Sequence, residues 1–371
     1  MKSVYFDNAA TTPVDKEFVL ALSDLLENQY LNADSLYEGA VSLKSQLESA
    51  RSKLASLLKV ESEEIIFNSG ASEGNNMIIK GLLDYYPKRT HIITTNIEHP
   101  SVTEVFNYYE KLGYKVNRVP VNTKGEFDFN YLADCIREDT LLVSVMAVNN
   151  ETGLILPLEK IKTFIREKSR AFFHSDMTQA LGKMTLDLSI VDFASFSAHK
   201  LGGFKGTGFI YKKKGTNLIP LIHGGQQEFN QRAGTSNAPY QILLPNIVEK
   251  ALNENGKKIV ELNALLKNGL KEIEGVKINS CLGSPYILNF SLPNMSSQTA
   301  INALSNKGIM ISGQATCSTS KSKHSLVLRN MGFPLKDCQN VLRVSLWHQN
   351  TKEEIEYFVA CLKEVDDEYG L

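Results

Sequence analysis

The stretch "DFASFSAHKLGG", residues 192–203, is an apolar run that ends in a serine, a histidine and a lysine and then breaks at two glycines. The short apolar run predicts a buried strand, and the glycine pair predicts a tight turn straight after it. A lysine just beyond an apolar strand is ordinarily solvated, because lysine is almost never buried unpaired. Here Ser197, His199 and the glycines build a compact polar turn around Lys200. In such a setting a lysine loses proton affinity readily, and its amine can capture a carbonyl.

Six similar runs surround this one: "EIIF", "HIIT", "YKVNRV", "LLVSVMAV", "AFFHS" and "GFIY", with helical patterns between several of them. The alternation predicts an α/β domain whose mostly parallel sheet is covered on both faces. In such sheets ligands sit outside the carboxyl ends of the strands, so the residues just after each run are the ones to inspect. From about residue 253 a Lys-rich helical stretch leads to "VKINS", "YILNFSL", "GIMIS" and "VLRVSL", interleaved with helical patterns, which reads as a smaller α+β unit. The join near residues 249–255 reads equally as a long connecting helix or as a hinge.

The strand ends carry distinct chemistry. After "EIIF" comes "NSGASEGNNMIIKGLL", where Gly70, Ala71 and Ser72 open a helix. Free backbone N–H groups and hydroxyls at a helix start suit a phosphate, or form a plain cap. His99 stands in a strand-to-helix turn, either structural or as a ring able to stack on a planar ligand. Asn150 follows "LLVSVMAV" and either makes the turn or bonds a ligand. Asp176 ends "AFFHSD", where a buried carboxylate needs a positive or proton-donating partner; a protonated heterocyclic nitrogen would serve. A phosphate cradle, a stackable ring, a carboxylate for a ring nitrogen and an amine together specify pyridoxal 5′-phosphate.

Composition sets the outer limits. With 371 residues, 43% of them hydrophobic, the chain is long enough for one large domain and a satellite. A formal net charge of −1 gives no electrostatic footprint for nucleic acid or an anionic membrane. The opening "MKSVYFDNAATTP" lacks an apolar targeting core, and no apolar run approaches a membrane span. Five scattered cysteines without C-x-x-C spacing argue against a disulfide framework or a zinc site. A cytoplasmic protein without bound metal is the expectation.

The markers "YFDNAATTP", "SGASEGNN", "EHPSV", "VNNETG", "HSDMTQA", "SFSAHK", "HGGQQEFNQRAGTSN" and "LRVSL", in this order, resemble the NifS/IscS-type (group I) cysteine desulfurases of the class V pyridoxal-phosphate enzymes. The resemblance runs nearly end to end. It implies a fold-type I transferase with a seven-stranded large domain (15–250) and a small domain formed by 1–14 and 251–371. It also implies conversion of L-cysteine to L-alanine, with the sulfur held as a persulfide on an enzyme cysteine and passed to an acceptor protein for iron–sulfur cluster assembly or for tRNA or cofactor thiolation.

Carried over by motif, Lys200 resembles the lysine that holds the cofactor, His99 the stacking and proton-handling ring, and Asp176 the ring-nitrogen partner. Gln179 and Asn150 match residues beside the cofactor's phenolic oxygen and the substrate. Ser72, Ser197 and His199 resemble phosphate ligands next to Gly70 and Ala71, with Ser72 in place of the usual threonine. Thr235 matches a residue that reaches the partner subunit's phosphate in a homodimer. Arg343 resembles the substrate-carboxylate clamp, and Asn32 lies in "YLNADSLYEG", a substrate-side loop in which Ala33 and Tyr37 replace the family's Pro and His.

Cys317, in "ISGQATCSTSKSKHSLVLRNMG", resembles the sulfur-accepting thiol in a mobile loop spanning about 312–326. That loop is one residue longer before the cysteine than the family's S-G-S-A-C-T-S. Lys323, His324 and Ser325 replace its usual E-P-S, and a basic neighbourhood favours a thiolate. Cys135 and Cys361 sit in helical apolar patterns and are expected to be buried and inert. Alternatives are another class V activity, such as an aminotransferase or selenocysteine lyase, and a non-catalytic dimeric sulfur-relay scaffold.

Overall fold

The computed structural model describes residues 3–280, 283–313 and 324–369. Its strands in chain order are β1 (Val4–Tyr5), β2 (Ile65–Asn68), β3 (His91–Thr95), β4 (Lys115–Val119), β5 (Thr140–Ser144), β6 (Phe172–Asp176), β7 (Phe193–Ser197), β8 (Gly208–Lys212), β9 (Lys277–Ile278), β10 (Ile287–Ser291), β11 (Ile309–Met310) and β12 (Val341–Ser345). Seven of them form one sheet in the order β2-β8-β7-β6-β5-β3-β4. Only β8 runs against its neighbours within it. The mostly parallel α/β expectation therefore holds.

The sheet is buried on both sides because its strands alternate between two apolar clusters. Ile66, Ile92, Leu142, Phe193 and Ile210 face the helices Ala71–Tyr85 and Pro100–Lys111. Ile65, Phe67, Ile93, Val143, Phe196 and Phe209 face the opposite cluster, which includes Leu243 and Leu244 of the helix Ala238–Asn253. Near-continuous apolar strands of this kind are what a sheet covered on both faces requires.

The C-terminal part is a three-stranded antiparallel sheet in the order β12-β10-β9, with the helices Gly256–Lys271 and Lys352–Tyr369 packed together nearby. The Lys-rich stretch is not one long helix. It breaks after Asn253, and Asn255 caps the next helix by accepting a hydrogen bond from the Lys257 N–H at 3.0 Å. No helix among the described residues is long and apolar enough to cross a membrane.

One short segment joins the two sheets and positions the site. β1 pairs in parallel with β11, Val4 opposite Ile309. Past it, the Ala9 N–H donates to Ser345 Oγ at 2.8 Å, while the Thr12 N–H donates to the His199 carbonyl at 2.8 Å. Residues 5–13 thus lie between β12 and the turn that carries Lys200.

Candidate active site

Because β2, β3, β5, β6 and β7 all run the same way, their carboxyl ends share one edge. The residues after them converge on a single cavity there, as open α/β sheets favour. Ala71, Ser72, His99, Asn150, Asp176, Gln179, Ser197, His199, Lys200 and Arg343 all line it. Gly70 adjoins it as the residue before the helix Ala71–Tyr85. Asn32 and Thr235 are exposed and do not reach this cavity within one chain. Cys317 lies outside the described residues.

The helix start has the form of an anion cradle. Gly70 has φ +137°, a left-handed value that favours glycine. The Ala71 N–H donates to Ser197 Oγ at 2.7 Å, drawing the end of β7 against the helix N-terminus. A Cβ on Gly208 would collide with the Phe196 carbonyl and lie 2.5 Å from the Gly70 Cα, so the cradle is closed from behind by a residue that must lack a side chain. Burial, with Lys200, Lys205 and Lys183 nearby, pushes His199 down to about 4. That positive surrounding and the helix N-terminus both favour an anion.

Opposite the cradle stands Asp176, 7% exposed. Its oxygens accept from neutral donors: Asn75 Nδ2 at 2.8 Å and the Thr178 N–H at 3.0 Å. His174, fully buried beside it, is pushed down to about 4 by burial and is neutral at ordinary pH. The carboxylate therefore has no cationic hydrogen-bond partner among the described residues, the condition under which a protonated ring nitrogen is welcome. His99 caps the helix Pro100–Lys111 and turns its Nδ1 inward, 2.8 Å from Ser101 Oγ. Burial lowers its pKa, with Asp176 opposing and Lys200 assisting. Lys200 Nζ donates to the carbonyls of Ala9 at 2.7 Å and Ala10 at 2.5 Å.

Arg343, 2% exposed, closes the far wall. Its Nη1 donates to the Asn150 carbonyl at 2.8 Å and its Nη2 to Asp7 Oδ1 at 2.6 Å, while its buried Nε has no partner. Thr178 Oγ1, also on the cavity wall, is likewise buried and unpaired. Orphaned donors of this kind suit a polar, anionic guest. Gln179 Nε2 donates to the Ala9 carbonyl at 2.9 Å, and its Oε1 accepts from Lys183 Nζ at 2.7 Å. Burial first, then Lys200 and Arg343, push Lys183 down to about 7.

Sequence reading missed the roles of Asp7, Asn75, Ser101 and Lys183. All but Lys183 stand inside motifs it marked, "YFDNAATTP", "SGASEGNN" and "EHPSV". Lys183 lies outside every marked motif, four residues after Gln179 in the turn that follows β6.

Residues 4–358 match the family described as aminotransferase class-V. A cysteine desulfurase IscS from Dictyoglomus turgidum is 35% identical, with 98% of this chain and 94% of the relative aligned. Another from Methanosarcina thermophila is also 35% identical, over 98% of this chain and 92% of the relative. Among solved structures, a NifS-like protein superposes with a TM-score of 0.93 at 37% identity, covering 99% of this chain and all of the other. A NifS-like protein from Rickettsia africae gives 0.88 at 29% identity, again over 99% of this chain and all of the other.

Proposed function

The chain belongs to the aminotransferase class-V family, and from that premise we propose that it is a pyridoxal-phosphate-dependent cysteine desulfurase. The observation that carries the assignment is the cavity itself. The cradle at Gly70 and Ala71, the uncompensated Asp176, the ring of His99 and the amine of Lys200 face one space of fitting chemistry. Bound there, pyridoxal 5′-phosphate supplies an aldehyde for an amine and a ring that withdraws electrons from the substrate's carbon framework.

The residues divide the remaining work. Ser72, Ser197, His199 and the N–H groups of the helix start hold the phosphate, Asp176 holds the ring nitrogen in its protonated form, and His99 covers the ring face. Gln179 and Asn150 lie beside the phenolic oxygen and the substrate. Lys200 holds the cofactor and moves the proton at the substrate's Cα. Arg343, anchored by Asp7, presents a planar cationic fork to the substrate carboxylate. Asn32 contributes from the substrate-side loop.

Cys317 supplies the sulfur-accepting thiolate. Its sulfur attacks the sulfur of L-cysteine, a new S–S bond forms as the substrate C–S bond breaks, and the released electron pair stays with the carbon fragment, which is protonated to alanine. Further support comes from the three thiols among the described residues, which do not include Cys281. Burial pushes Cys135 up to about 11 and raises Cys338, and Cys361 is 5% exposed in a packed helix. Cys135 is only half-buried, more open than its sequence pattern suggests. That these three are free thiols supports a reducing, cytoplasmic setting.

Thr235, exposed and not among the residues that line its own cavity, serves the phosphate site of a second copy in a homodimer. Exposed apolar side chains at Leu20, Leu26, Tyr30, Leu36 and Tyr37 supply surface for such a contact. The persulfide passes to an acceptor protein of iron–sulfur cluster assembly or of thiolation.

The test is intact-mass spectrometry after incubation with L-cysteine, with alanine measured in the same tubes. Wild type gains the mass of one or more sulfur atoms on Cys317 and forms alanine, whereas Cys317→Ser gains none. A visible cofactor band with neither adduct nor alanine would assign the cavity to another substrate.

A further inference from the structure

Asn75 is completely buried between Asp176 and Ser101, both of which line the cavity. One hydrogen of its Nδ2 goes to Asp176 Oδ2 and the other to Ser101 Oγ, each at 2.8 Å. Its Oδ1 accepts from Ser195 Oγ. The polarity of this arrangement follows from Asp176, whose Oδ1 already accepts from the Thr178 N–H at 3.0 Å and whose Oδ2 faces the amide as an acceptor. The amide must therefore turn its NH2 toward Asp176, which delivers the second hydrogen to Ser101.

Each hydroxyl has only one proton to give. Ser101 Oγ already accepts from Asn75, so its proton is free for His99 Nδ1, 2.8 Å away. The Ser101 backbone N–H points at the same nitrogen from 3.2 Å. Two donors on Nδ1 leave no room for a hydrogen there. On the other arm, Ser195 gives its proton to Asn75 and must accept from His174 Nε2, 2.9 Å away, leaving His174 Nδ1 to accept from Ser144 Oγ at 2.8 Å. One buried amide thus sets the proton positions of two histidines.

We propose that Asn75 is a positioning residue that fixes His99 as the tautomer with a bare Nδ1 and a protonated Nε2, so that this ring meets substrate and cofactor as a hydrogen-bond donor. Nε2 makes no hydrogen bond within the described residues, which leaves that N–H for a ligand. In that form Nε2 offers a hydrogen bond but cannot take a proton, so the substrate thiol gives its proton to some other acceptor. The catalytic consequence rests on the desulfurase reading; the tautomer does not.

The experiment is two-bond 1H–15N correlation NMR on holoenzyme labelled with 15N-histidine, the His99 signals assigned by their loss in His99→Gln. Wild type should show the bare-Nδ1 pattern for His99. In Asn75→Asp, the Ser101 hydroxyl turns to the new carboxylate, and the His99 signals should move toward the protonated-Nδ1 pattern. The same variant, with two carboxylates in contact, should shift the pH titration of the visible cofactor band. Ser101→Ala, which keeps the backbone donor alone, should give an intermediate tautomer mixture.

A protonated Nδ1 in wild type overturns the assignment. An unmoved tautomer and an unmoved band titration in Asn75→Asp leave Asn75 a purely structural residue and also overturn it. Absence of alanine and sulfur adduct in the wild type would sink the desulfurase reading while leaving the NMR outcome to decide the tautomer separately.

Discussion

At the scale of single residues, the clearest consequence concerns Arg343. Its fork is already divided between Asp7 and the Asn150 carbonyl, with Nε unpaired. A lysine there keeps the charge but cannot serve two anchors and a substrate carboxylate together. Loss of a charge-assisted contact costs about 1.5–3 kcal/mol, so Arg343→Lys should raise KM for cysteine roughly 10- to 100-fold. A clamp on the substrate carboxylate would act before and during the chemistry alike, so kcat should change much less. Steady-state kinetics decides it, with the visible cofactor band as a control for an intact site. An unchanged KM would remove Arg343 from substrate binding. Asp7→Asn should produce a weaker version of the same split, because it loosens the arginine without removing it.

At the scale of elements, the segment 223–237 shows where sequence reading stopped. The run "HGGQQEFNQRAGTSN" was legible as a marker, but not the strain it carries. Glu228, Phe229 and Asn230 have φ of 49°, 57° and 63°, three successive left-handed residues of which none is glycine. Such a conformation costs of order 1–3 kcal/mol per residue and persists only when its surroundings hold it. The hold comes from Arg51, whose guanidinium bonds both oxygens of Glu228 at 2.7 and 2.9 Å and lies over the rings of Phe67 and Phe229. Glu228 also accepts from the Phe67 N–H at 2.8 Å, and Arg232 pairs with Glu73 at 2.9 Å. The segment bearing Thr235 is thereby tied to β2 and to the helix that forms the cradle.

Breaking one partner of a buried pair costs about 3–5 kcal/mol, more than replacing both with apolar groups. Glu228→Gln should therefore lower Tm more than the double variant Arg51→Met, Glu228→Leu, as read by calorimetry on the holoenzyme. If the single variant matched wild type, the pair would not be what secures the segment.

The same element scale explains what was and was not readable. Strand runs were legible because burial on both faces demands continuous apolar residues, and motif ends were legible because each sits at a carboxyl edge. The reach of "LLVSVMAV" was not. Its strand ends at Ser144, and the rest turns into the site, with the Ala147 N–H on the Asp176 carbonyl at 2.9 Å. Partners such as Asn75 and Asp176, or Asp7 and Arg343, meet only through the fold, since 101 and 336 positions separate them. Periodicity, a local signal, carries no trace of such pairs.

At the scale of the whole molecule, the placement of Thr235 makes a sharp demand on assembly. Within one chain it is exposed and away from the cavity, while Lys200 lies inside it. If each phosphate site takes Thr235 from the other copy, the defects of two variants distribute unevenly in a mixed dimer. A Lys200→Ala subunit paired with a Thr235→Val subunit has one site carrying both changes and one carrying neither. The heterodimer, purified through two different tags, should recover roughly half of wild-type activity although each parent homodimer is impaired at both sites. Were Thr235 to serve its own chain, every site in the mixture would carry one defect and nothing would recover. Recovery also separates shared sites from mere stabilisation by contact, because a subunit that only propped up its neighbour would leave the Lys200→Ala site inactive and the Thr235→Val site unimproved.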